Sequence, residues 1–401
     1  MQNPLTPFKD PEIIRVAKQP VEILRILADD KKTDGRAPAL ILTKEDISRI
    51  KRYVQHGLNL PNTLTRLEQE LGFTQIGIPG LEPQDLLLTY SAINEHAKSW
   101  SGIERDIKAT GFDLDLFASQ FSNQGRQILD YIDKMEVTQQ LDLSVADLSI
   151  EIVESLAPAP LTETDKKVCM ALADLLTKIA AQIEKHRQSS AQLSNDITRF
   201  AHTLTVDLIP GINDKTRLAS RADLDDELLE LEKEIDRLTA DIEEKHQEYR
   251  TTRNNVAWGL LGGLVGVIVT DSILSPKAEA IRREKNRLIA EKQAKVEASR
   301  QKRPLAAAIF DLQLLLEDMR FRMADAHRGA INLQDIWAML ANYVEQSAKG
   351  LAGISDDQAL LVFALQFQSV VMPWEEINGI TTHLLRIFQN ALDEYSNLQN
   401  K

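Results

Sequence analysis

Cysteine is nearly absent from this chain: Cys169 is the single thiol in 401 residues, which excludes an internal disulfide and a cysteine-built metal cluster. It sits among Val168, Met170 and Leu172 and reads as core on an apolar helix face. Aromatics are scarce at 5%, which suits long helices better than sandwiches or barrels. Glycine and proline are missing from 161–209, 212–258 and 277–303, and both residues weaken or break helix interiors. At 1.5 Å per residue the first two stretches reach about 70 Å each if fully helical.

Positive charge is also in deficit. The formal net charge is -13, so the chain repels polyanions and nucleic acid is not an expected partner. The stretch from Met1 to Pro20 carries Pro4, Pro7, Lys9, Asp10 and Pro11 and lacks the continuous apolar run of a secretory signal. Release without a standard signal peptide is the expectation for a protein acting outside its cell. No GxxxxGK[ST], GxGxxG, GxSxG or HExxH occurs, and His56, His96, His186, His202, His246, His327 and His383 are scattered singly. No catalytic residue, cofactor or metal site is therefore expected.

What the chain does have is helical patterning with globular composition, 43% hydrophobic and 27% charged. Its length exceeds one ordinary core, although an elongated helical body can hold it in one piece. Thr43 and Asp46 predict a capped helix through Ile47, Ile50 and Val54, ended by Gly57 and Pro61. A shorter helix is expected over Asn62 to Leu71, a loop over Phe73 to Leu81, and separate amphipathic helices over Leu86 to Ile107 and Phe112 to Met135. Ala39 to Leu42 is the one candidate strand. From Leu161, Val168, Leu172, Leu175, Ile179 and Ile183, then Leu193, Ile197, Phe200 and Leu204, repeat mostly every three or four residues, so one face of a long helix is buried. Leu305, Ile309, Leu312, Leu316, Met319 and Met323 continue the pattern, as do Ile331 to Val344. A last helix opens at Pro373 and carries Ile377, Ile380, Leu384, Phe388 and Tyr395. The fold class is all-α.

Leu224, Leu228, Leu231, Ile235, Leu238, Ile242, Lys245 and Tyr249 step by four and three in alternation, the register of a coiled-coil seam. Residues 222–250 hold twelve Asp or Glu against four Lys or Arg, a net of -8. Residues 277–303 hold ten Lys or Arg against four Glu, a net of +6. A fold-back between them gives antiparallel arms of opposite charge, helped by Leu274, Ile281 and Leu288 at heptad spacing. The basic run reads either as a solvated flank of that coiled coil or as a lipid head-group contact through Lys277, Arg282 and Arg283.

Between the arms lies a run with no charge from Asn254 to Thr270. Its apolar part, Val256 to Val269, spans about 21 Å as a helix, short of the roughly 30 Å hydrocarbon core. Val256, Trp258, Leu260, Leu261, Leu264, Val265, Val267, Ile268 and Val269, with Ile273 and Leu274, are the candidate membrane-interacting residues. Asp271 interrupts them and opposes permanent spanning, so insertion is conditional. Gly259, Gly262, Gly263 and Gly266 form two overlapping small-xxx-small pairs, which permit close helix packing or a sharp turn. Burial of the run as a core helix is the competing reading. The long polar arms are expected to project it away from any bundle.

With these residues in view, the chain resembles the ClyA-type α-pore-forming toxins, and within them the A component of binary cytotoxins of the XaxAB and YaxAB kind. The likeness lies in the layout and in a local run, Leu42-Thr-Lys-Glu-Asp-Ile-Ser-Arg-Ile-Lys-Arg-Tyr-Val54 followed by Leu58-Asn-Leu-Pro61. The resemblance implies an elongated helical tail bundle, a long antiparallel coiled-coil neck and a small apolar head at about 254–276. Residues 1–210 and 305–401 would form the tail and neck helix, and 211–304 the hairpin. It further implies a water-soluble monomer that binds the bilayer of a target cell and joins a B component in a hetero-oligomeric ring. The competing function is a coiled-coil scaffold or membrane tether with no pore activity.

Overall fold

The computed structural model describes residues 11–29, 37–141, 144–220, 233, 237–245, 247–248, 276–299 and 304–399. Its helices are α1 (Pro11–Leu27), α2 (Lys44–Asn59), α3 (Leu64–Leu71), α4 (Pro83–Asp133), α5 (Glu136–Gln139), α6 (Ile150–Ser155), α7 (Glu163–Thr203), α8 (Ile209–Ser220), α9 (Pro276–Ser299), α10 (Pro304–Ala352), α11 (Asp357–Val371) and α12 (Trp374–Gln399). Among the described residues no strand forms, and an isolated antiparallel bridge joins Pro160 to Asp356.

Local chemistry sets the helix ends. Thr43 and Asp46 form a reciprocal capping box at the start of α2, the Asp46 amide donating to Thr43 Oγ1 and the Thr43 amide to Asp46 Oδ2. Thr63 caps α3, and Gly72 closes it in the left-handed conformation at φ 75°. The predicted loop follows, with amides of Ile76 and Gly77 donating to the Glu82 carboxylate.

α4 is one helix of 51 residues, where the sequence reading divides it near Gly111. The glycine does not break it. A Cβ there would come within 2.6 Å of Leu385 Cδ2, so Gly111 admits α12 rather than ending α4. Thr110 also turns its hydroxyl back to the Asp106 carbonyl at 2.8 Å, satisfying itself within the helix.

The longest helical run joins α7 to α8 through a π-turn at Leu204–Leu208. Proline lacks an amide hydrogen, and its ring clashes with the carbonyl four residues back in a regular helix. For Pro210 that carbonyl belongs to Val206, inside the π-turn, where the Ile209 amide reaches back to Leu204. The sequence reading ends this helix at Ile209; the wider turn lets it continue. The predicted stripe is buried as expected: Leu172, Ile179, Ile183, Leu193, Ile197, Phe200 and Leu204. Cys169 is buried beside them, and burial raises its thiol pKa to about 11.

α7 and α8 lie along α10, and α4 packs against α2, α7, α11 and α12. Their apolar faces merge into one continuous core. At its centre Phe117 meets Trp337 and Trp374 edge-on at 5.1 and 5.6 Å. Farther along α4, His96 joins three helices, contacting Tyr53 Oη at 2.6 Å and the Phe200 carbonyl at 3.0 Å. Burial lowers its pKa. α11 is a helix the periodic reading does not identify. It buries Leu360, Leu361, Val362 and Phe363 in succession, and its few polar residues, such as Gln366, Gln368 and Ser369, are half-buried, so the contrast that makes a stripe is weak.

The candidate strand Ala39 to Leu42 is instead an irregular buried segment, with Ala39 donating to the Leu27 carbonyl at 3.2 Å. It runs close to α10 at Gly329, where a Cβ would meet Ile41 Cα at 2.8 Å. Backbone cannot yield as a side-chain tip can. Gly329→Ala is therefore expected to lower stability by about 1–3 kcal/mol, despite alanine's better helix propensity; a gain on urea unfolding would contradict the close approach.

Asp335 on α10 is mostly buried, and burial raises its pKa to about 7. A carboxyl raised in the folded state binds more protons there than in the unfolded chain. Its stabilising contribution is full below its ordinary pKa of 3.8 and is lost as pH rises through about 7. Asp335→Asn is expected to flatten the fall in stability over that window, by at most about 1.4 kcal/mol per pH unit. Equal pH slopes for the two proteins would remove Asp335 as the cause.

Candidate functional site

The apolar run Val256 to Val269, its four glycines, and Ile273 and Leu274 lie outside the described residues. The helices on either side of it are described in part. Residues 237–245 are helical, and α9 resumes at Pro276. Among the described residues, no helix is long and apolar enough to cross a membrane, and no group of His, Cys, Asp or Glu could hold a metal.

The two arms meet, though not as an isolated pair. Leu238 and Ile242 of the acidic arm bury against Leu288 and Ile289 of α9, and Leu314 of α10 completes the cluster. Glu243 pairs with Arg320 of α10, and Lys285 of the basic arm adds a weaker favourable charge. The described parts of both arms therefore lie against α10, and α9 against α2 as well; the tip that the sequence reading has them project lies outside the described residues.

The reason is the inner face of α9. Ile281, Lys285, Leu288, Lys292 and Val296 follow one another at spacings of mostly four and three, and all are buried. The face carries lysine where a simple seam would carry leucine, so it needs a partner offering both apolar surface and acid. α2 and α10 offer both. Arg282 is 4% exposed and donates to Asp46 Oδ1 at 2.8 Å and Thr43 Oγ1 at 3.2 Å. Its Nε lies 3.6 Å from Asp325 Oδ2. Lys285 stands over the Phe321 ring at 3.8 Å, a cation–π contact, and burial drives its pKa well down. Lys292 contacts Gln313 Oε1 at 3.2 Å and Glu317 Oε2 at 3.6 Å.

The bundle side of this cluster is itself paired. Arg322, fully buried, donates to the same Asp46 oxygen at 2.9 Å, to Asp318 at 3.1 Å and to Asn286 of α9 at 2.6 Å. Glu45 accepts from Arg49 at 3.1 Å and from Asn286 at 2.9 Å. A cavity of about 240 Å³ opens alongside, lined in part by Arg49, Arg52, Gln293, Asp311 and Asp318.

Of the three lipid head-group candidates, Arg283 is exposed, and Lys277 lies in the first turn of α9. Arg282 is held inside the protein by Asp46, so in this conformation it is not available to lipid. Sequence reasoning missed the cluster because it counted the lysines and arginines of 277–303 as charge alone. Lys285 and Lys292 stand within the apolar repeat, and that position was the usable signal.

Neither a protein-family model nor a curated protein matches the chain. Solved structures do. The chain is similar to YaxA from Yersinia enterocolitica, with 28% identity, 89% of this chain and 100% of that one covered, and a TM-score of 0.49. It is similar to the XaxAB pore complex from Xenorhabdus nematophila, with 26% identity, coverage of 88% and 99%, and a TM-score of 0.44. The resemblance drawn from the sequence thus meets solved structures of the same names. Soluble SmhA of the tripartite α-pore-forming toxin Smh, from Serratia marcescens, shares 10% identity over 88% of this chain and 96% of that one, with a TM-score of 0.50. The two share an elongated all-α fold.

Proposed function

We propose that this chain is one component of a two-component α-pore-forming cytotoxin. It stays in water until the Gly-rich run Val256 to Val269 engages the bilayer of a target cell, and it then joins a B component in a hetero-oligomeric ring. On this reading residues 1–210 and 305–401 form the tail and neck helix, and 211–304 form the hairpin with the membrane-binding head.

The observation that carries the reading is the charge-free run itself, set between two charge-rich helical arms in a chain with the fold of SmhA. Its eight Val, Leu and Ile residues favour insertion by about 0.3 to 0.6 kcal/mol each, and Asp271 opposes it by about 3 kcal/mol at mid-bilayer. These nearly cancel, as a segment that must be both soluble and insertable requires. Four glycines in eight residues keep it from locking into one water-exposed helix.

The test is dye release from vesicles and lysis of red cells by the purified chain, alone and with the product of the adjacent gene. The expected result is leakage with the pair, accompanied by rings in detergent. No leakage in either condition, with the chain still monomeric in detergent, overturns the reading. Vesicle binding without leakage identifies a tether instead.

A further inference from the structure

We propose that α9 is a releasable strap: Arg282, Lys285 and Lys292 clamp the return arm to α2 and α10 in the water-soluble protein, and engaging a membrane peels the helix away. The proposal rests on the reading of Val256 to Val269 as the membrane segment, which α9 follows directly in the chain.

The make-up of the contact is the first argument. A helix meant to stay docked buries an apolar stripe, and separating it would expose that stripe to water. α9 buries Arg282, Lys285 and Lys292 among its apolar side chains. On separation these polar groups regain hydration, which opposes the exposure of Ile281, Leu288, Ile289 and Val296. Buried charge pairs contribute little net stability for the same reason. They do fix where the helix docks, because a shifted register leaves charges unmatched.

The second argument is what remains behind. With α9 gone, Asp46 keeps Arg322 at 2.9 Å and the Thr43 amide at 2.9 Å. Asp318 keeps Arg322 at 3.1 Å and Arg49 at 3.5 Å, and Glu45 keeps Arg49. Asp46 and Asp318 on the bundle therefore stay paired. Glu317 and Asp325, which face Lys292 and Arg282, are uncovered to water by the same movement. The pairing of Asp46, Asp318 and Arg322 thus does not depend on the strap.

The third argument is the seam itself. The cavity between α2, α9 and α10 is lined by Arg49, Arg52, Ile289, Gln293 and Leu314, among others. The helix sits on the bundle without the close packing that marks the core.

The test closes the strap chemically. Glu45 and Asn286 touch across the seam at 2.9 Å, and the native Cys169 is buried, so E45C/N286C presents the accessible thiols. The double variant is bridged with a short bis-methanethiosulfonate reagent and mixed with phosphatidylcholine and phosphatidylserine vesicles. Flotation is expected to show vesicle-bound protein falling about tenfold on bridging and recovering when dithiothreitol cleaves the bridge. In the unmodified chain, hydrogen exchange should show α9 losing protection on vesicles while α7 keeps it. Equal flotation of bridged and reduced protein, or α9 protection unchanged on bound vesicles, overturns the strap and leaves the membrane reading standing. If the unmodified chain never floats, the membrane reading fails and the strap falls with it.

Discussion

Leu264→Arg is expected to cut partner-dependent leakage by two to three orders of magnitude and to leave the helical spectrum and unfolding midpoint unchanged. Leu264 stands in the middle of the charge-free run. Exchanging it removes about 0.5 kcal/mol of favourable insertion and adds about 2.5–3.5 kcal/mol of cost. At about 1.4 kcal/mol per tenfold, a total of about 3–4 kcal/mol gives the stated range. A segment whose insertion nearly balances cannot absorb that change, whereas one already deep in lipid could partly evade it by snorkelling. The bundle core does not depend on residue 264 in this reading, which is why folding is expected to be indifferent. Full leakage by the variant would clear the run of any part in membrane entry.

Asp46→Ala should have the largest effect on stability, a loss of about 3–5 kcal/mol. Asp46 is fully buried and receives two guanidinium groups on one oxygen, Arg282 at 2.8 Å and Arg322 at 2.9 Å, while capping α2 with its other oxygen. Removing it leaves Arg322 with Asp318 at 3.1 Å and Arg282 with Asp325 at 3.6 Å, a buried cluster short of one acid, at about 3–5 kcal/mol. The Thr43 amide loses its acceptor within that range, while Thr43 Oγ1 still caps the amide of residue 46. Arg282 can escape to water with α9, but Arg322 belongs to α10 and cannot. Relief is therefore partial, and the loss should persist even where α9 detaches. Arg283→Ala, on the exposed face of the same helix, should stay within about 0.5 kcal/mol. Urea midpoints of the two variants decide the matter: similar values would show that Asp46 anchors nothing.

The bundle was legible in the sequence to the extent that its helices are two-faced. The stripe from Leu172 to Leu204 and the cap at Thr43 and Asp46 were both read correctly, because each depends on neighbours within a few residues. α11 escaped because its buried residues run consecutively around the helix and its polar ones are few and half-buried, and periodicity reports only contrast. The division of α4 at Gly111 failed for a different reason. Glycine was read by its effect on the helix that holds it, while its use is to admit Leu385 from another helix, which no local pattern records. At the hairpin the charges of the arms were counted correctly and their partners were not. Apolar residues and lysine at 281–296 alternate within one buried face, and only the acids of α2 and α10, distant in sequence, explain why lysine is tolerated there.

The π-turn at Leu204–Leu208 has a consequence for the phase of the helix that contains it. Beyond Phe200 the buried side chains include Leu204, Leu208, Ile212 and Thr216, four residues apart each time, with Ile209 and Ala219 beside them. In a regular helix such a series drifts about 40° per step around the axis, so Thr216 would face well away from Phe200. The wider turn absorbs the excess and keeps the series on one side. It acts as one residue carried in surplus, and it marks the place where the chain can be shortened by one without rotating the helix beyond it. Deleting Thr205 together with Pro210→Ala returns the spacings to three and four and leaves Ile212 facing inward. Deleting Ser189, in the regular part of α7, turns every later apolar side chain by about 100° and sets the two halves of the helix against each other.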